Sequence, residues 1–463
     1  MKKRIGEYAA RSRMTVRREP SVREAVTGAA LSFDGKRRRA YGEVDVEAWR
    51  RWAEGVKNHL LTHLEDYLAE AEARLEANGA RVHWARDAAE AREIVLSLAS
   101  DCSAGSVVKG KSMLTEEVDL NPALERAGIE VHETDLGEYI LQLLDEPPSH
   151  IVGPAIHKSL EQVRELFEER LGTTPGSGPD DLAQAARKVL RDAFMRADMG
   201  ITGANFLVAE TGTVALIENE GNIRLTTSLP RVHVALVGIE KLLPRMRDLA
   251  GFLQLTTRAA TGQSIGCFVS LIQGPSIRPG DDGPEEVHVV LVDNGRTDAL
   301  LHEHAWEALR CVRCGACLNS CPVYRQTGGH AYGWVYSGPI GSILGPGLLG
   351  LHEAMPLPFA SSLCGACGDA CPVRIPIPEL LLAWREEAQR RGLTPWNERI
   401  ALAGLARMAE RPGLYRVAGK FGTRLGATAL ARKLPMLGEW SRDRVLPRPS
   451  PRTFREMWHG GIE

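Results

Sequence analysis

Cys311-Val312-Arg313-Cys314-Gly315-Ala316-Cys317-Leu318-Asn319-Ser320-Cys321-Pro322 is the stretch on which the reading of this 463-residue chain turns. Its spacing is C-x2-C-x2-C-x3-C-P, and a shorter echo follows at Cys364, Cys367, Cys371 and Pro372. Seven of the nine cysteines fall within residues 311–371, leaving only Cys102 and Cys267 elsewhere. Disulfide frameworks belong to short secreted chains. This chain is long, and residues 1–20 carry basic side chains with no apolar run behind them, so no secretory leader is expected. A dense cysteine cluster in such a protein points to metal ligation.

The spacing narrows the metal. Three thiolates two residues apart can wrap a loop around one iron–sulfur cubane. The fourth, displaced by one more residue and leading into Pro322, is directed toward a neighbouring cluster, as in the bacterial ferredoxin run. Soft thiolates suit iron in such clusters, whereas zinc favours closed sets of four ligands in paired C-x2-C units. Gly315 leaves the loop free to turn backbone amides toward cluster sulfur. Two [4Fe-4S] clusters are therefore expected, one on Cys311, Cys314, Cys317 and Cys371, the other on Cys321, Cys364 and Cys367. On the same template the first slot of the second run falls on Ser361. Three occupants remain open there: the Ser361 oxygen, water on an exposed iron, or a [3Fe-4S] cluster that lacks the corner. Cys102 and Cys267 read as small buried apolar side chains.

Upstream, from about residue 80 to 297, helical periodicity alternates with short apolar runs, which argues for an α/β domain with a largely parallel sheet. Asp87 with Glu90 starts a helix over 87–99, and Asn121, Pro122 and Gly128 cap, open and close another. Further helices are expected over 138–144 and 181–196, and strands over 106–109, 129–132, 232–237 and 287–292, the last ending at the turn pair Asn294-Gly295. Strands 206–209 and 214–218 are joined as a hairpin through Glu210-Thr211-Gly212-Thr213. Gly200-Ile201-Thr202-Gly203 reads as a second polar turn. Gly105 to Ser112 satisfies G-x-x-x-x-G-K-S, but a P-loop needs a strand before the first glycine, and here the strand lies inside the motif. What survives is Lys109, Lys111, Ser112 and Thr115 at a strand's carboxyl end, candidates to hold a small anion such as a carboxylate. His233, between Val232 and Val234, reads as a strand-face histidine, and His330 as a hydrogen-bonding group near a cluster rather than a ligand.

Downstream, a helix over 299–309 leads into the first cysteine run, and a Gly/Pro-rich apolar stretch over 338–359 separates the two runs. Helical character resumes after Pro378 and continues to Trp440, before a Pro/Arg-rich tail containing Met457-Trp458. Residues 1–70 read as a basic extension, helical over 47–72 and with little packed structure before that. The resulting division is 1–70, 71–297, 298–380 and 381–463. The 44% hydrophobic and 25% charged content is that of an ordinary globular protein. A formal charge of −2 argues against nucleic acid as a partner, although residues 2–39 hold twelve Lys/Arg against four Asp/Glu. No apolar run reaches the ~18 residues of a spanning helix. No G-x-G-x-x-G is present, so no Rossmann nicotinamide or flavin site is expected.

Beyond the cysteines, VVKGKSMLTEEVDLNPALERAGIEVHETDLGEYILQL and GITGANFLVAETGTVALIENEGNIRLTTSLPRVHVALVGIEKL resemble the LUD domain of lactate-utilization proteins. CVRCGACLNSCPVYRQTGGHAYGWVYSGPIG with SSLCGACGDACPVRIP resembles the two-cluster module of that system's iron–sulfur B-subunit family, whose second run also has three cysteines. The tail after about residue 385 is similar to the same family's C-terminal region. The resemblance implies a LUD domain similar in fold to NagB/RpiA sugar-phosphate isomerases and CoA transferases, then a ferredoxin-like two-cluster module and a helical tail. It implies an iron–sulfur electron-transfer subunit of a complex oxidising L-lactate to pyruvate. Its partners would be a CCG-domain protein, a small LUD-domain protein and an electron acceptor. A cytoplasmic location follows, with any membrane association made through partners. Other outcomes to be weighed are a subunit for another 2-hydroxy acid such as glycolate, and a CoA or acyl transferase using Glu218 with structural clusters.

Overall fold

The computed structural model describes residues 4–278, 280–426, 450 and 452–460. Cα packing divides the chain into two units, Met1–Glu387 and Ala388–Glu463. Among the described residues the larger unit contains ten strands: β1 Arg81–Ala85, β2 Ser106–Lys109, β3 Glu130–Glu133, β4 Met199–Gly203, β5 Phe206–Val208, β6 Thr213–Glu218, β7 Val232–Gly238, β8 Leu242–Leu243, β9 Phe268–Ile272 and β10 Glu286–Val292. Six of them form one sheet in the order β1-β10-β7-β4-β2-β3, with every neighbouring pair parallel. The other four form a small mixed sheet, β8-β5-β6-β9.

Central strands of a parallel sheet are covered on both faces, so their sequences run apolar without a polar side. In β7 the period of two still sorts the side chains. Val232, Val234 and Leu236 pack with Val95, Val107 and Leu124 on one face. Ala235 and Val237 pack with Leu60, Leu75 and Leu291 on the other. The helix after Asp87 runs Ala88–Asp101, and the Asp87 carboxylate accepts N–H bonds from Ala89 and Glu90 as expected. Strands 206–208 and 213–218 pair as the expected antiparallel hairpin. Asn294 and Gly295 both have positive φ, as their turn requires.

Several expectations need correction. Gly200 to Gly203 is no turn but the fully buried strand β4. Its glycines serve close approach: a Cβ on Gly200 would lie 1.9 Å from the Thr226 carbonyl oxygen, and one on Gly203 2.5 Å from Ser112 Oγ. The helix expected to start at Asn121 is Leu120–Arg126, with Asp119 as its left-handed cap. The single helix expected over 299–309 is broken into Arg296–Leu301 and a 3-10 segment, Trp306–Arg310.

The segment before residue 47 is also packed, contrary to expectation. Helices Tyr8–Arg18 and Pro20–Gly42 precede Val46–Thr62 and Leu64–Ala77. Thr27 Oγ1 donates to the Arg325 carbonyl at 2.9 Å, and Tyr41 Oη to that of Ala370 at 3.3 Å. Arg50 donates to the carbonyls of Cys371 (2.8 Å) and Gly368 (2.9 Å). The short helix Ala366–Ala370 leaves carbonyls without intrahelical partners, and Tyr41 and Arg50 satisfy some of them.

The smaller unit is helical, with Trp396–Ala409, Pro412–Gly426 and Phe454–His459, the last opened by a Thr453/Glu456 capping box. The expected end of helical character at Trp440 lies outside the described residues. Among the described residues no helix is long and apolar enough to cross a membrane.

Candidate iron–sulfur and ligand site

The two cysteine runs fold as copies of one loop. Arg313 and Leu363, at matching positions, have φ of 59° and 55°, and Gly315 and Gly365 follow with 73° and 84°. Each loop then enters a one-turn helix, Ala316–Ser320 or Ala366–Ala370, and leaves it at Cys321-Pro322 or Cys371-Pro372. Left-handed φ is costly for Arg and Leu, so the loop rather than the side chain imposes it. Ser361 takes the place of Cys311. Cys311 Sγ accepts the Arg313 N–H at 3.4 Å, and Ser361 Oγ accepts the Leu363 N–H at 3.1 Å. Tyr324 N–H and Ile375 N–H likewise point at the sulfurs of Cys321 (3.5 Å) and Cys371 (3.4 Å).

Cys311, Cys314, Cys317 and Cys371 wall a single cavity whose remaining lining is mostly apolar, including Ile340 and Ile375. Burial pushes the Cys371 thiol up to about 11, with Cys311 beside it, and raises Cys314 and Cys317 among the same neighbours. Burial also pushes Cys367 up to about 12, with Cys321 and Cys364 adding to the rise. Cys317 also has Cys367 of the second run among its neighbours, so the two groups of thiols lie close together. Crowded, buried thiols with amides aimed at sulfur are a donor set that iron can satisfy and free thiolates cannot. Cys314, Cys317 and Cys371 are buried, whereas Cys364 is exposed.

A larger pocket lies at the carboxyl ends of the parallel strands, where open α/β sheets bind ligands. It is lined by Lys111 after β2, Gly203 ending β4, Gly238 ending β7 and Arg296 beyond β10. Val312, Arg313 and Cys314 close its other side, so Cys314 borders both cavities. Charges beneath the pocket are tightly paired. Arg296 donates to both oxygens of Glu117 at 2.8 and 2.9 Å and to Glu240 at 2.5 Å. Arg313 donates from Nη2 to Glu240 at 3.1 Å and lies over the Tyr336 ring, whose hydroxyl donates to Glu117 at 2.6 Å. Burial would raise the Glu240 carboxyl, but Arg296 and Arg313 hold it down to about 2. Burial, helped by Arg313, brings the Lys241 ammonium down to about 8.

The four anion candidates are divided. Lys111 and Ser112 line the pocket, with Lys111 Nζ donating to the Val152 carbonyl at 2.6 Å and Ser112 capping Met113–Glu117. Lys109 points elsewhere, which corrects its placement in that set: it is fully buried against Glu133 (2.9 Å) and Glu116 (3.2 Å). Burial alone would lower Lys109, but these carboxylates raise it, and burial beside Glu133 drives Glu138 well up. Thr115 is buried too, bonded to Lys109 and the Ser112 carbonyl. His233 is the expected strand histidine, bonded to Thr202 at 2.8 Å. His330 bonds the Pro147 carbonyl. Both Glu218 oxygens accept backbone N–H groups, from Ile223 and Arg224, although Glu218 reaches the pocket. Cys102 is half-buried and Cys267 exposed, so neither is a fully buried apolar side chain. Sequence reasoning missed Glu117, the adjacent pair Glu240 and Lys241, and Arg296, which come from three separate elements and share no motif. Arg313 stood inside the quoted run, and a charged residue between ligands was the available signal.

Comparison with known proteins agrees with this architecture. Residues 68–292 match the LUD domain, 307–375 the 4Fe-4S dicluster domain, and 387–461 the C-terminal region of lactate utilisation protein B. A protein named lactate utilization protein B from Geobacillus kaustophilus is 44% identical over 89% of this chain and 88% of its own. Another of that name, from Bacillus pumilus, is 42% identical over 99% and 98%. A solved duf162 family protein from Deinococcus radiodurans covers 50% of this chain and 98% of its own at 15% identity, with a TM-score of 0.28, too slight a likeness to argue from. With a LUD domain, an iron–sulfur dicluster domain and the matching C-terminal region in one chain, this protein belongs to the lactate utilization protein B family.

Proposed function

We propose that this chain is the iron–sulfur electron-transfer subunit of a complex that oxidises L-lactate to pyruvate. The observation that carries the proposal is the position of Cys314, which walls the four-cysteine cavity on one side and the ligand-sized pocket on the other. Cys311, Cys314, Cys317 and Cys371 would hold one [4Fe-4S] cluster. Cys321, Cys364 and Cys367 would hold a second, with Ser361 Oγ as its fourth ligand because it repeats the local bond of Cys311. Such clusters take up and release electrons singly, which a two-electron donor feeding one-electron acceptors requires. The exposed Cys364 places the second thiol set where a protein acceptor can approach, while buried Cys314, Cys317 and Cys371 keep water from the first. The names of the relatives support lactate as substrate. The parallel sheet and the pocket at its carboxyl edge suit the NagB/RpiA/CoA-transferase-like fold. The partners in this reading are a CCG-domain protein, a small LUD-domain protein and an electron acceptor, met in the cytoplasm or at the membrane surface. The test is anaerobic purification with those partners, followed by visible and electron-spin spectra after addition of L-lactate, D-lactate or glycolate. Bleaching and a reduced-cluster signal with L-lactate alone support the proposal; the same response to glycolate alone moves the substrate to another 2-hydroxy acid.

A further inference from the structure

The pocket beside Cys314 contains more donors than its own residues satisfy. Arg313 has a side chain 7% exposed, and Glu240 engages only its Nη2. Its Nε and Nη1 are buried without a partner, and so is Thr256 Oγ1. Lys241 lines the same pocket and makes no ion pair or hydrogen bond among the described residues. Buried donors without acceptors are costly, and native structures keep few of them without reason. The cysteine loop does not demand this arginine, because Leu363 occupies the matching position with nearly the same backbone. Around Glu240 the cations Lys241, Arg296 and Arg313 outnumber the carboxylates Glu117 and Glu240, while burial lowers Lys57 to about 7 and Asp135, Glu218 and Glu220 line other parts of the pocket.

We propose that Arg313, Lys241 and Thr256 form the binding site for the carboxylate of a small hydroxy or keto acid, set against the loop of Cys314. The unpartnered Nε–H and Nη1–H lie on opposite sides of the guanidinium, so either can donate a charge-assisted bond to a carboxylate oxygen, while an ammonium adds charge and a hydroxyl donates a further bond. Identifying the acid as lactate or pyruvate rests on the electron-transfer reading above; the carboxylate site itself does not.

The test is anaerobic titration calorimetry of the full-length, cluster-loaded chain with pyruvate, which binds without donating electrons, alongside iron content and the visible spectrum. Saturable binding is expected. Lys241→Gln should weaken it about tenfold and Thr256→Val about threefold, as for one charged and one neutral hydrogen bond. Both variants should retain wild-type iron and spectrum, which separates lost binding from failed folding. Arg313→Gln should lose binding entirely. Absence of saturable binding to the wild type, or wild-type affinity in both Lys241→Gln and Thr256→Val, overturns the site. In the second case a changed cluster potential would assign these groups to charge balance alone. If pyruvate binds at these donors while L-lactate leaves the clusters oxidised in the assembled complex, the site stands and the electron-transfer reading falls. Reduction by L-lactate with unchanged affinity in both variants gives the reverse.

Discussion

Replacing Arg296 by methionine removes the cation on which two buried carboxylates depend. The side chains of Arg296 and Glu117 are 2% exposed and that of Glu240 1%, so no solvent can take over. Methionine fills most of the volume, which leaves charge rather than a cavity as the main loss. Breaking a buried pair from one side costs about 3–5 kcal/mol, because the remaining charge stays uncompensated. Two carboxylates are affected here, but neither is left bare. Glu117 keeps the Tyr336 hydroxyl (2.6 Å) and the Asn294 amide (2.7 Å), and Glu240 keeps Arg313 (3.1 Å). The retained bonds bring the expected cost to about 3–5 kcal/mol for the whole substitution, a large part of the ~5–15 kcal/mol of a typical domain. Anaerobic urea unfolding, followed by tryptophan fluorescence, measures it. Adding Glu117→Gln should recover part of the loss, with a coupling of about 1–3 kcal/mol in the double-mutant cycle. A single variant within about 1 kcal/mol of wild type, or strictly additive effects, would refute the buried network as a stabilising unit.

Three other outcomes are expected. His233 is fully enclosed and burial lowers its pKa from 6.5 to about 4. The unfolded chain therefore takes up a proton near pH 6.5 that the folded chain refuses. Stability is full above that pH and falls toward pH 4, by about 3 kcal/mol from this group. A urea midpoint that is flat from pH 7.5 to about 5, or a slope untouched by His233→Gln, contradicts the assignment. Gly329→Ala should destabilise by about 1–3 kcal/mol or more, since its Cβ would sit 1.7 Å from the Ser149 carbonyl oxygen. Gly28→Ala, in a helix with open space around it, should instead stabilise by up to about 1 kcal/mol; thermal melts of the pair check both signs. Ser361→Ala should leave about seven iron atoms where about eight are expected, whereas unchanged iron would remove Ser361 from the ligand set.

The fold was legible where local chemistry acts alone. Asp87 announced its helix because a carboxylate can cap only the N–H groups that follow it. The apolar runs 232–237 and 287–292 announced strands, which the structure extends to Val232–Gly238 and Glu286–Val292. Gly200 to Gly203 misled, since the same glycines that permit turns also permit a helix to approach a strand. The packing of helix Pro20–Gly42 was hidden by its basic residues, which suggested solvent, whereas its distant carbonyl partners are met by Thr27 and Tyr41. At the site, the two cysteine runs were readable because cluster ligation fixes the spacing within each short loop. Glu117, the Glu240-Lys241 pair and Arg296 meet only through sheet topology, and no spacing rule links the three elements. Lys109 shows the converse: its motif suggested an anion site, yet Glu116 and Glu133 had already claimed its charge.

The most direct measurement is the response of the anaerobic complex, with its iron content determined, to L-lactate. A two-cluster electron carrier should contain about eight iron atoms per chain, bleach in the visible range and develop a reduced-cluster electron-spin signal. Clusters that respond to dithionite but to neither L-lactate, D-lactate nor glycolate would contradict the assigned role.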